Sequence, residues 1–255
     1  MEKMRKTILI TGGATGIGAA AVRRFVAADW NVVLSDINES AGNTLAGELG
    51  ERVLFVIADT RQREEMESVV AKAVNHFGGL DSVFANAGIH RRNTLLDISD
   101  EEFDLVVKTN IYGTVNTLRA AVPALVTAGG GSVVINASDQ VFIGKPGNFA
   151  YGLTKGALGQ ITKTLSLELG PKNIRVNAVC PGTIRTPLVE NLFEKVSRDG
   201  AATAEALWAE ENALFARGRV GEPEEVAEMV YFLASDASSF CTGGLYLIDG
   251  GLVAG

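Results

Sequence analysis

Cysteine is scarce in this sequence, and long hydrophobic runs are absent. The two cysteines, Cys180 and Cys241, lie far apart and match no metal-ligand spacing, so we expect no metal site and two thiols in a reducing compartment such as the cytoplasm. The apolar run Thr7–Ile10 stops at once in Thr11-Gly12-Gly13, which argues against a secretory signal. No run is long enough to span a bilayer, so we expect no membrane partner.

Positive charge is also in the minority. Lysine and arginine together number 23 against 30 acidic residues, which gives a net charge of −7 and a pI near 5.0. An acidic chain without a long basic run is a poor binder of nucleic acid. A mean hydropathy of +0.18 is high for a monomer and predicts apolar surface buried between subunits.

Glycine is abundant, and its first group forms a candidate phosphate-binding turn. The turn reads T-G-x-x-x-G-x-G over Thr11–Gly18, between a β-rich run and the helical stretch Ala19–Val26. Glycines let the backbone approach a pyrophosphate, and the helix N-terminus supplies N–H donors and a positive dipole. A glycine turn alone is weak evidence, because other tight turns also contain glycine. The candidate contacts in it are Gly12, Thr15, Gly16, Ile17 and Gly18.

Asp36 strengthens this interpretation. It ends the strand Asn31–Ser35, eighteen residues after Gly18, where an adenosine ribose would lie. A carboxylate there accepts hydrogen bonds from both ribose hydroxyls and repels a 2′-phosphate, and its neighbours Ile37 and Asn38 are not basic. The pattern favours NAD over NADP.

Two more strands end in polar or small residues. Val53–Ile57 leads to Asp59-Thr60, and Ser82–Ala85 leads to Asn86-Ala87-Gly88. We expect Asp59 to meet the adenine amino group or, alternatively, to cap the helix Arg63–Phe77. Strands alternating with helices along residues 1–255 predict one domain, an α/β Rossmann-type doubly wound parallel sheet of about seven strands with helices on both faces.

The helix predicted from Ala150 to Leu169 carries Tyr151 and Lys155 one turn apart on one face. A nearby cation favours the phenolate and lowers a tyrosine pKa by roughly 1 to 3 units. Ser138 ends the preceding strand and can share a substrate oxygen with Tyr151, which is an arrangement for general acid–base chemistry. The alternative is a lysine that only packs along an aromatic ring.

A second apolar helix is predicted from about Asp100 to Thr127, capped by Ser99 or Asp100. Asn110 lies among its apolar residues, and a buried amide without partners costs about 1–3 kcal/mol. It either bonds to backbone or holds a water near Lys155.

Residues around these elements are candidates for substrate contact. His90-Arg91-Arg92 follow the fourth strand, and the helix-prone segment 187–217 is long enough to be a lid. The individual candidates are Gln140, Phe142, Asn148, Arg91 and Trp208. Their mix of polar, aromatic and basic groups suggests a small polar substrate, although the arginines could equally be solvated or contact another subunit.

The residues above occur in an order that resembles the short-chain dehydrogenase/reductase family over the whole chain. The resemblance implies a catalytic set of Asn110, Ser138, Tyr151 and Lys155, with Lys155 also holding the nicotinamide ribose. It implies that Pro181, Ile184 and Thr186 line the nicotinamide end, where Ile184 and Thr186 meet the carboxamide. It also implies a homotetramer built on the helices at about 100–127 and 150–169.

The sequence therefore predicts NAD-dependent hydride transfer between the nicotinamide and a secondary alcohol or ketone. The substrate would be a sugar, a polyol or a hydroxy acid. One alternative is reduction of a 3-oxoacyl thioester, and another is a catalytically silent NAD-binding regulator.

Overall fold

The structure, a computed structural model, describes residues 5–198 and 202–254. Its centre is one sheet of parallel strands. They are β1 Thr7–Thr11, β2 Asn31–Asp36, β3 Val53–Ile57, β4 Ser82–Ala85, β5 Gly131–Asn136, β6 Ile174–Pro181 and β7 Leu245–Ile248. Their order across the sheet is β3-β2-β1-β4-β5-β6-β7, and every neighbouring pair is parallel. This confirms the predicted doubly wound α/β sheet.

Helices cover both faces of the sheet. They are α1 Gly16–Ala27, α2 Glu39–Leu49, α3 Arg63–Phe77, α4 Asp100–Val107, α5 Gly113–Thr127, α6 Phe149–Leu169, α7 Pro187–Arg198, α8 Ala204–Ala213 and α9 Pro223–Ala234. Successive side chains of a strand point to opposite faces. Leu9 accordingly packs in the core formed with α3, α5 and α6, whereas Ile8 and Ile10 pack in the core formed with α1, α2 and α9.

The long helix predicted from Asp100 to Thr127 is not regular. Its α4 part is capped by Ser99, whose hydroxyl accepts the Glu102 N–H at 3.1 Å. A π-helical turn at Lys108–Tyr112 then separates α4 from α5. The wider turn contains Asn110, whose side chain bonds to backbone outside the helix, and apolar periodicity gives no signal for such a turn.

The carboxyl ends of the strands form one edge, called the carboxyl edge below. The strand order reverses between β1 and β4, and ligands of such sheets bind in the crevice beside that point. The turns after β1, β2, β4, β5 and β6 carry most of the residues singled out from the sequence. The carboxyl edge therefore holds most of the candidate site residues.

The segment 187–217 contains α7 and α8, with residues 199–201 outside the described part of the chain. Phe193 of α7 meets Trp208 of α8 edge to face at 4.6 Å, and the Arg185 guanidinium lies 4.3 Å over the Trp208 ring. Within residues 5–198 and 202–254, no helix is long and apolar enough to cross a membrane. The same ranges hold no cluster of metal-ligating side chains.

Candidate active site

The turn after β1 is built on glycines that no other residue could replace without strain. Gly12 has φ +62° and Gly16 has φ +53°, a region that residues with a Cβ adopt at a cost. Gly18 has a different constraint, because a Cβ there would lie 2.0 Å from the Gly12 carbonyl oxygen. A Cβ on Gly12 would lie 2.8 Å from the Ala87 Cα, so the turns after β1 and β4 touch through their backbones.

The N-terminus of α1 is left open for an anion. Its cap residue Thr15 makes no side-chain capping bond, and no acidic residue lies in the first turn of the helix. The first N–H groups of a helix need partners, and an anion is favoured there by the helix dipole. The close-packed turn and this uncapped end fit the pyrophosphate of a dinucleotide cofactor.

Asp36 is fixed beside that turn. One of its carboxylate oxygens accepts the Ala14 N–H at 3.0 Å, and the other accepts the Asn38 N–H at 2.9 Å. Each carboxylate oxygen keeps a further lone pair for a ligand hydroxyl. Its neighbour Ile37 is 68% exposed, so this side of the turn is open to solvent.

One of the two hypotheses for Asp59 was that it caps α3, and that hypothesis is wrong. The cap position is Gln62, and Asp59 instead accepts the Arg61 N–H at 2.9 Å and pairs with the Arg61 guanidinium. That hydrogen-bonded guanidinium lowers the pKa of the Asp59 carboxyl. Its contact with adenine stays a prediction. Thr60 is buried against Gly113, and its carbonyl accepts from the Asn116 amide at 3.0 Å.

A line of hydrogen bonds joins the glycine turn to the predicted catalytic lysine. The Asn86 amide donates to the carbonyls of Thr11 and Gly12 at 3.0 and 2.9 Å. The Asn136 amide donates to Asn86 at 2.8 Å, and the Lys155 ammonium donates to the Asn136 carbonyl at 2.6 Å. The structure thus brings residues from β1, β4, β5 and α6 into one connected site.

Lys155 is buried beside Tyr151, which is itself half-buried. Lys155 is 4% exposed, and its ammonium lies 5.5 Å from the centroid of the Tyr151 ring. Burial lowers the pKa of Lys155 to about 8. Burial raises the pKa of Tyr151, and the negative charge of Asp139 raises it further, although the hydrogen bond with Ser138 opposes this. The prediction that the Tyr151 pKa is lowered is therefore wrong for the protein without a bound ligand. Desolvation of the phenolate is the larger effect there.

Ser138 sits at the end of β5 with a partner that the sequence reasoning missed. Its hydroxyl donates to the Asp139 carboxylate at 2.6 Å and accepts the Gln140 N–H at 3.2 Å. Asp139 is 2% exposed, and its other oxygen lies 3.0 Å from the Lys145 ammonium. That oxygen makes no hydrogen bond within the described residues, so the Lys145 contact is one of charge. The available signal was an acidic residue directly after the predicted catalytic serine.

Asn110 is fully engaged with its surroundings. Its side-chain oxygen accepts the Ile89 N–H at 2.8 Å, and its amide donates to the Ile89 carbonyl and to Thr154, each at 3.0 Å. The backbone-bonded alternative is thus confirmed. A role in holding water stays a prediction. Gly88 packs beside it, since a Cβ there would lie 3.2 Å from the Asn110 oxygen.

The substrate candidates lie on loops around Tyr151. His90 meets the Tyr151 ring edge to face at 4.6 Å, and its side chain hydrogen-bonds to Asn148. Burial lowers the pKa of His90, and the nearby charges of Arg92, Arg91 and Lys145 act in the same direction. Arg91 itself donates to the His90 carbonyl at 3.0 Å.

The remaining candidates are divided between this site and the segment 187–217. The Gln140 side chain reaches the first turn of α6, where a Cβ on Gly152 would lie 3.0 Å from it, whereas Phe142 is 45% exposed. Trp208 packs between α7 and α8, as described above. After β6, the Thr186 side chain lies against the glycine turn, 3.2 Å from where a Cβ on Gly16 would be. Ile184 is buried just before it, and Pro181 is the last residue of the strand.

This geometry agrees with comparisons against known proteins. A family model described as enoyl-(acyl carrier protein) reductase matches residues 12–253. A 3-oxoacyl-[acyl-carrier-protein] reductase from Thermotoga maritima is 38% identical over 97% of this chain and 98% of its own length. A 3-alpha-(or 20-beta)-hydroxysteroid dehydrogenase from Mycobacterium bovis is 36% identical over 98% of this chain and 90% of its own.

Among solved structures, one similar protein is a 3-ketoacyl-(acyl-carrier-protein) reductase from Brucella melitensis complexed with NADH. It superimposes with a TM-score of 0.88 at 30% identity, over 97% of this chain and 98% of its own. Its name and those of the two sequence relatives indicate carbonyl reduction or alcohol oxidation on substrates as different as acyl thioesters and steroids.

Proposed function

The chain belongs to the short-chain dehydrogenase/reductase family and is an oxidoreductase acting on CH–OH or keto groups, and from that premise we propose that it uses NAD and a small polar substrate. The observation that carries the proposal is the connected line from the glycine turn through Asn86 and Asn136 to Lys155. It joins a cradle for a dinucleotide to a half-buried phenol and a buried hydroxyl suited to proton exchange.

Each residue of the catalytic set has a proposed part. A bound nicotinamide supplies the hydride acceptor for oxidation or the donor for reduction. Tyr151 exchanges a proton with the substrate oxygen, and Ser138 hydrogen-bonds to that oxygen. Lys155 is held beside the phenol by the Asn136 carbonyl and can also bond to a cofactor ribose. Asn110 anchors the loop after β4 to α6 through Ile89 and Thr154.

The preference for NAD over NADP rests on Asp36. Its carboxylate is held by two backbone N–H groups beside the exposed Ile37, so a 2′-phosphate placed there would meet a fixed negative charge. The Brucella melitensis protein is complexed with NADH, which supports a nicotinamide cofactor but leaves the choice between the two cofactors to Asp36.

A sugar, a polyol or a hydroxy acid is the substrate class we favour. His90, Asn148 and Gln140 place polar groups around Tyr151, and Arg91 adds positive charge beside them. Such groups pair with hydroxyls or with a carboxylate. The helices α7 and α8 would act as the lid over this space.

We also infer a homotetramer and a location in the cytoplasm. Exposed apolar side chains on α6 and on the helical run Asp100–Thr127 support the first inference, and they include Leu167, Leu153, Tyr112 and Val126. The two free cysteines, Cys180 and Cys241, support the second.

Reduction of a 3-oxoacyl thioester is the second candidate, because the Thermotoga maritima and Brucella melitensis proteins carry that name. Since the Brucella melitensis protein is complexed with NADH, a preference for NAD does not by itself separate the two candidates. The substrate must be tested directly.

The test follows NADH and NADPH by absorbance with a panel of glucose, sorbitol, 3-hydroxybutyrate and acetoacetyl-coenzyme A. We expect turnover with NAD(H) and a small hydroxy compound. Turnover restricted to acetoacetyl-coenzyme A would favour the second candidate. Tight NADH binding with no turnover on any compound would favour a binding-only regulator and contradict the proposal.

A further inference from the structure

The hydrogen bonds of Ser138 determine which way its hydroxyl points. A serine hydroxyl has one hydrogen and two lone pairs. Its hydrogen goes to Asp139, because an ionised carboxylate can only accept, and one lone pair accepts the Gln140 N–H. Ser138 is left as an acceptor towards the reaction space.

Asp139 is held in this position by charge. It is 2% exposed, and the Lys145 ammonium lies 3.0 Å from the oxygen that does not bond to Ser138. Lys145 is itself only 23% exposed, so the pair lies where water screens it weakly. The two oxygens of the carboxylate therefore have separate partners, Ser138 on one side and Lys145 on the other.

We propose that Asp139 is a positioning residue that accepts the hydrogen bond of the Ser138 hydroxyl. In this way it makes the site bind the alcohol of an alcohol–ketone pair more tightly than the ketone. The proposal rests on the proposed function of the same site. An alcohol can accept from the Tyr151 phenol and donate to the free lone pair of Ser138. A ketone has no hydrogen to donate, and to bond to Ser138 it must compete with Asp139 for the hydrogen. The resting site therefore favours the substrate of the oxidation direction.

Asp139→Asn tests this with little change of shape. The Lys145 ammonium attracts the amide oxygen, so the amide nitrogen turns towards Ser138 and donates to it. The Ser138 hydroxyl is then free to donate a hydrogen bond to a carbonyl oxygen. Cyclohexanol and cyclohexanone are the probe pair, and the readout is KM for the ketone divided by KM for the alcohol. We expect this ratio to fall by about three- to tenfold, the size of one hydrogen bond.

The equilibrium constant of the reaction cannot change with the variant, so the turnover numbers must shift to compensate.

A second measurement needs no turnover. The protein–NADH complex is titrated with propan-2-ol and with isobutyramide, a carbonyl compound that it cannot reduce, and the fluorescence of bound NADH is followed. Relative to propan-2-ol, isobutyramide should bind about three- to tenfold better in Asp139→Asn than in the unaltered protein.

Asp236→Asn is the matched control, because Asp236 pairs with Lys6 at 2.7 Å just before β1, at the opposite edge of the sheet. It should leave both ratios unchanged. A ratio that moves less than twofold in Asp139→Asn, or a parallel rise in both KM values with a lower Tm, would overturn the assignment of Asp139. Failure of the unaltered protein to bind NADH would instead refute the proposed function, and this inference with it.

Discussion

At the carboxyl edge, side chains around the glycine turn, the proposed cofactor side, bond mostly to backbone, whereas those around Tyr151, the proposed substrate side, mostly contact one another. Asn86 and Asp36 reach backbone atoms of the turn after β1 or of the segment after β2. His90, in contrast, meets the side chains of Tyr151 and Asn148, and Asp139 meets those of Ser138 and Lys145. Backbone positions are fixed by the sheet, but side-chain partners can be exchanged for others without altering the fold.

The difference explains why a fold of this kind can serve several substrates with one cofactor chemistry. A change on the cofactor side must preserve backbone contacts as close as that of Gly12 with Ala87. A change on the substrate side only replaces one side-chain contact by another. Relatives named for acyl thioesters and for steroids, at 38% and 36% identity, agree with this division.

The largest expected effect is at the junction of the two sides, in Tyr151→Phe. Removal of the phenol hydroxyl removes the proton exchange, so kcat should fall by about 10²- to 10⁴-fold. NADH affinity, measured by fluorescence titration, should stay near that of the unaltered protein. An equal loss of NADH binding and of turnover would mean that the residue has a structural role and that the two sides are not separable here.

The next largest effect is expected for Lys155→Met, in the free energy of unfolding of the protein without cofactor. The pKa of Lys155 is about 8 in the folded chain and near 10.5 when solvated, so between these pH values the unfolded chain holds more protons. The unaltered protein should therefore gain stability relative to Lys155→Met as pH rises through that window, by on the order of 3 kcal/mol in total. Tyr151 and Cys180, whose pKa values burial raises, act in the opposite direction but are present in both proteins.

Urea unfolding of both proteins at pH values from 7.5 to 10.5 measures that difference. A stability difference that does not change with pH would show that Lys155 is as well solvated as a surface lysine.

Gly18→Ala tests the backbone contacts of the cofactor side. Its Cβ would meet the Gly12 carbonyl at 2.0 Å, so the turn must open, which costs about 1–3 kcal/mol and weakens NADH binding roughly five- to 150-fold. Gly47→Ala in α2 is the control, since a Cβ there meets nothing within 4 Å. It should raise stability by about 0.5–1 kcal/mol without an effect on NADH. Equal affinities in the two variants would contradict the backbone argument.

The same division separates the features that could be predicted from the sequence from those that could not. The seven strands and the seven-stranded parallel sheet followed from alternating apolar and turn-forming segments, because local pattern decides the element and sheet topology brings strand ends together. The π-helical turn around Asn110 did not follow, since it depends on Ile89, twenty-one positions away.

The electrostatics of Tyr151 and Lys155 could not be predicted from the sequence either. The spacing of Tyr151 and Lys155 places them on one helix face, but the extent of burial decides the sign of the Tyr151 shift. Lys145 and Asp139 were missed for a related reason. Six positions separate them in a loop, where no periodicity indicates which side chains will meet.

Asp36→Asn should change the choice of cofactor by about tenfold. The amide keeps the shape and one acceptor for the Ala14 or Asn38 N–H, but it removes the negative charge that opposes a 2′-phosphate. The ratio of kcat/KM for NADP to that for NAD should rise by this factor, at about one decade per 1.4 kcal/mol. An unchanged ratio would mean that other groups select the cofactor.

The smallest expected effect belongs to the substrate side, in His90→Phe. The phenyl ring can keep the edge-to-face contact with Tyr151 but cannot bond to Asn148. Loss of one hydrogen bond should raise KM of the best compound in the substrate panel by about three- to tenfold, with kcat and NADH affinity nearly unchanged. His76→Phe is a close control, because His76 also meets a ring edge to face, that of Phe77 at 4.5 Å, but lies exposed on α3. His90→Phe could instead weaken NADH binding as much as it raised KM. The loop after β4 would then transmit a substrate-side change to the glycine turn through Asn86. In that case the division into a cofactor side fixed by backbone and an exchangeable substrate side would not hold at this loop.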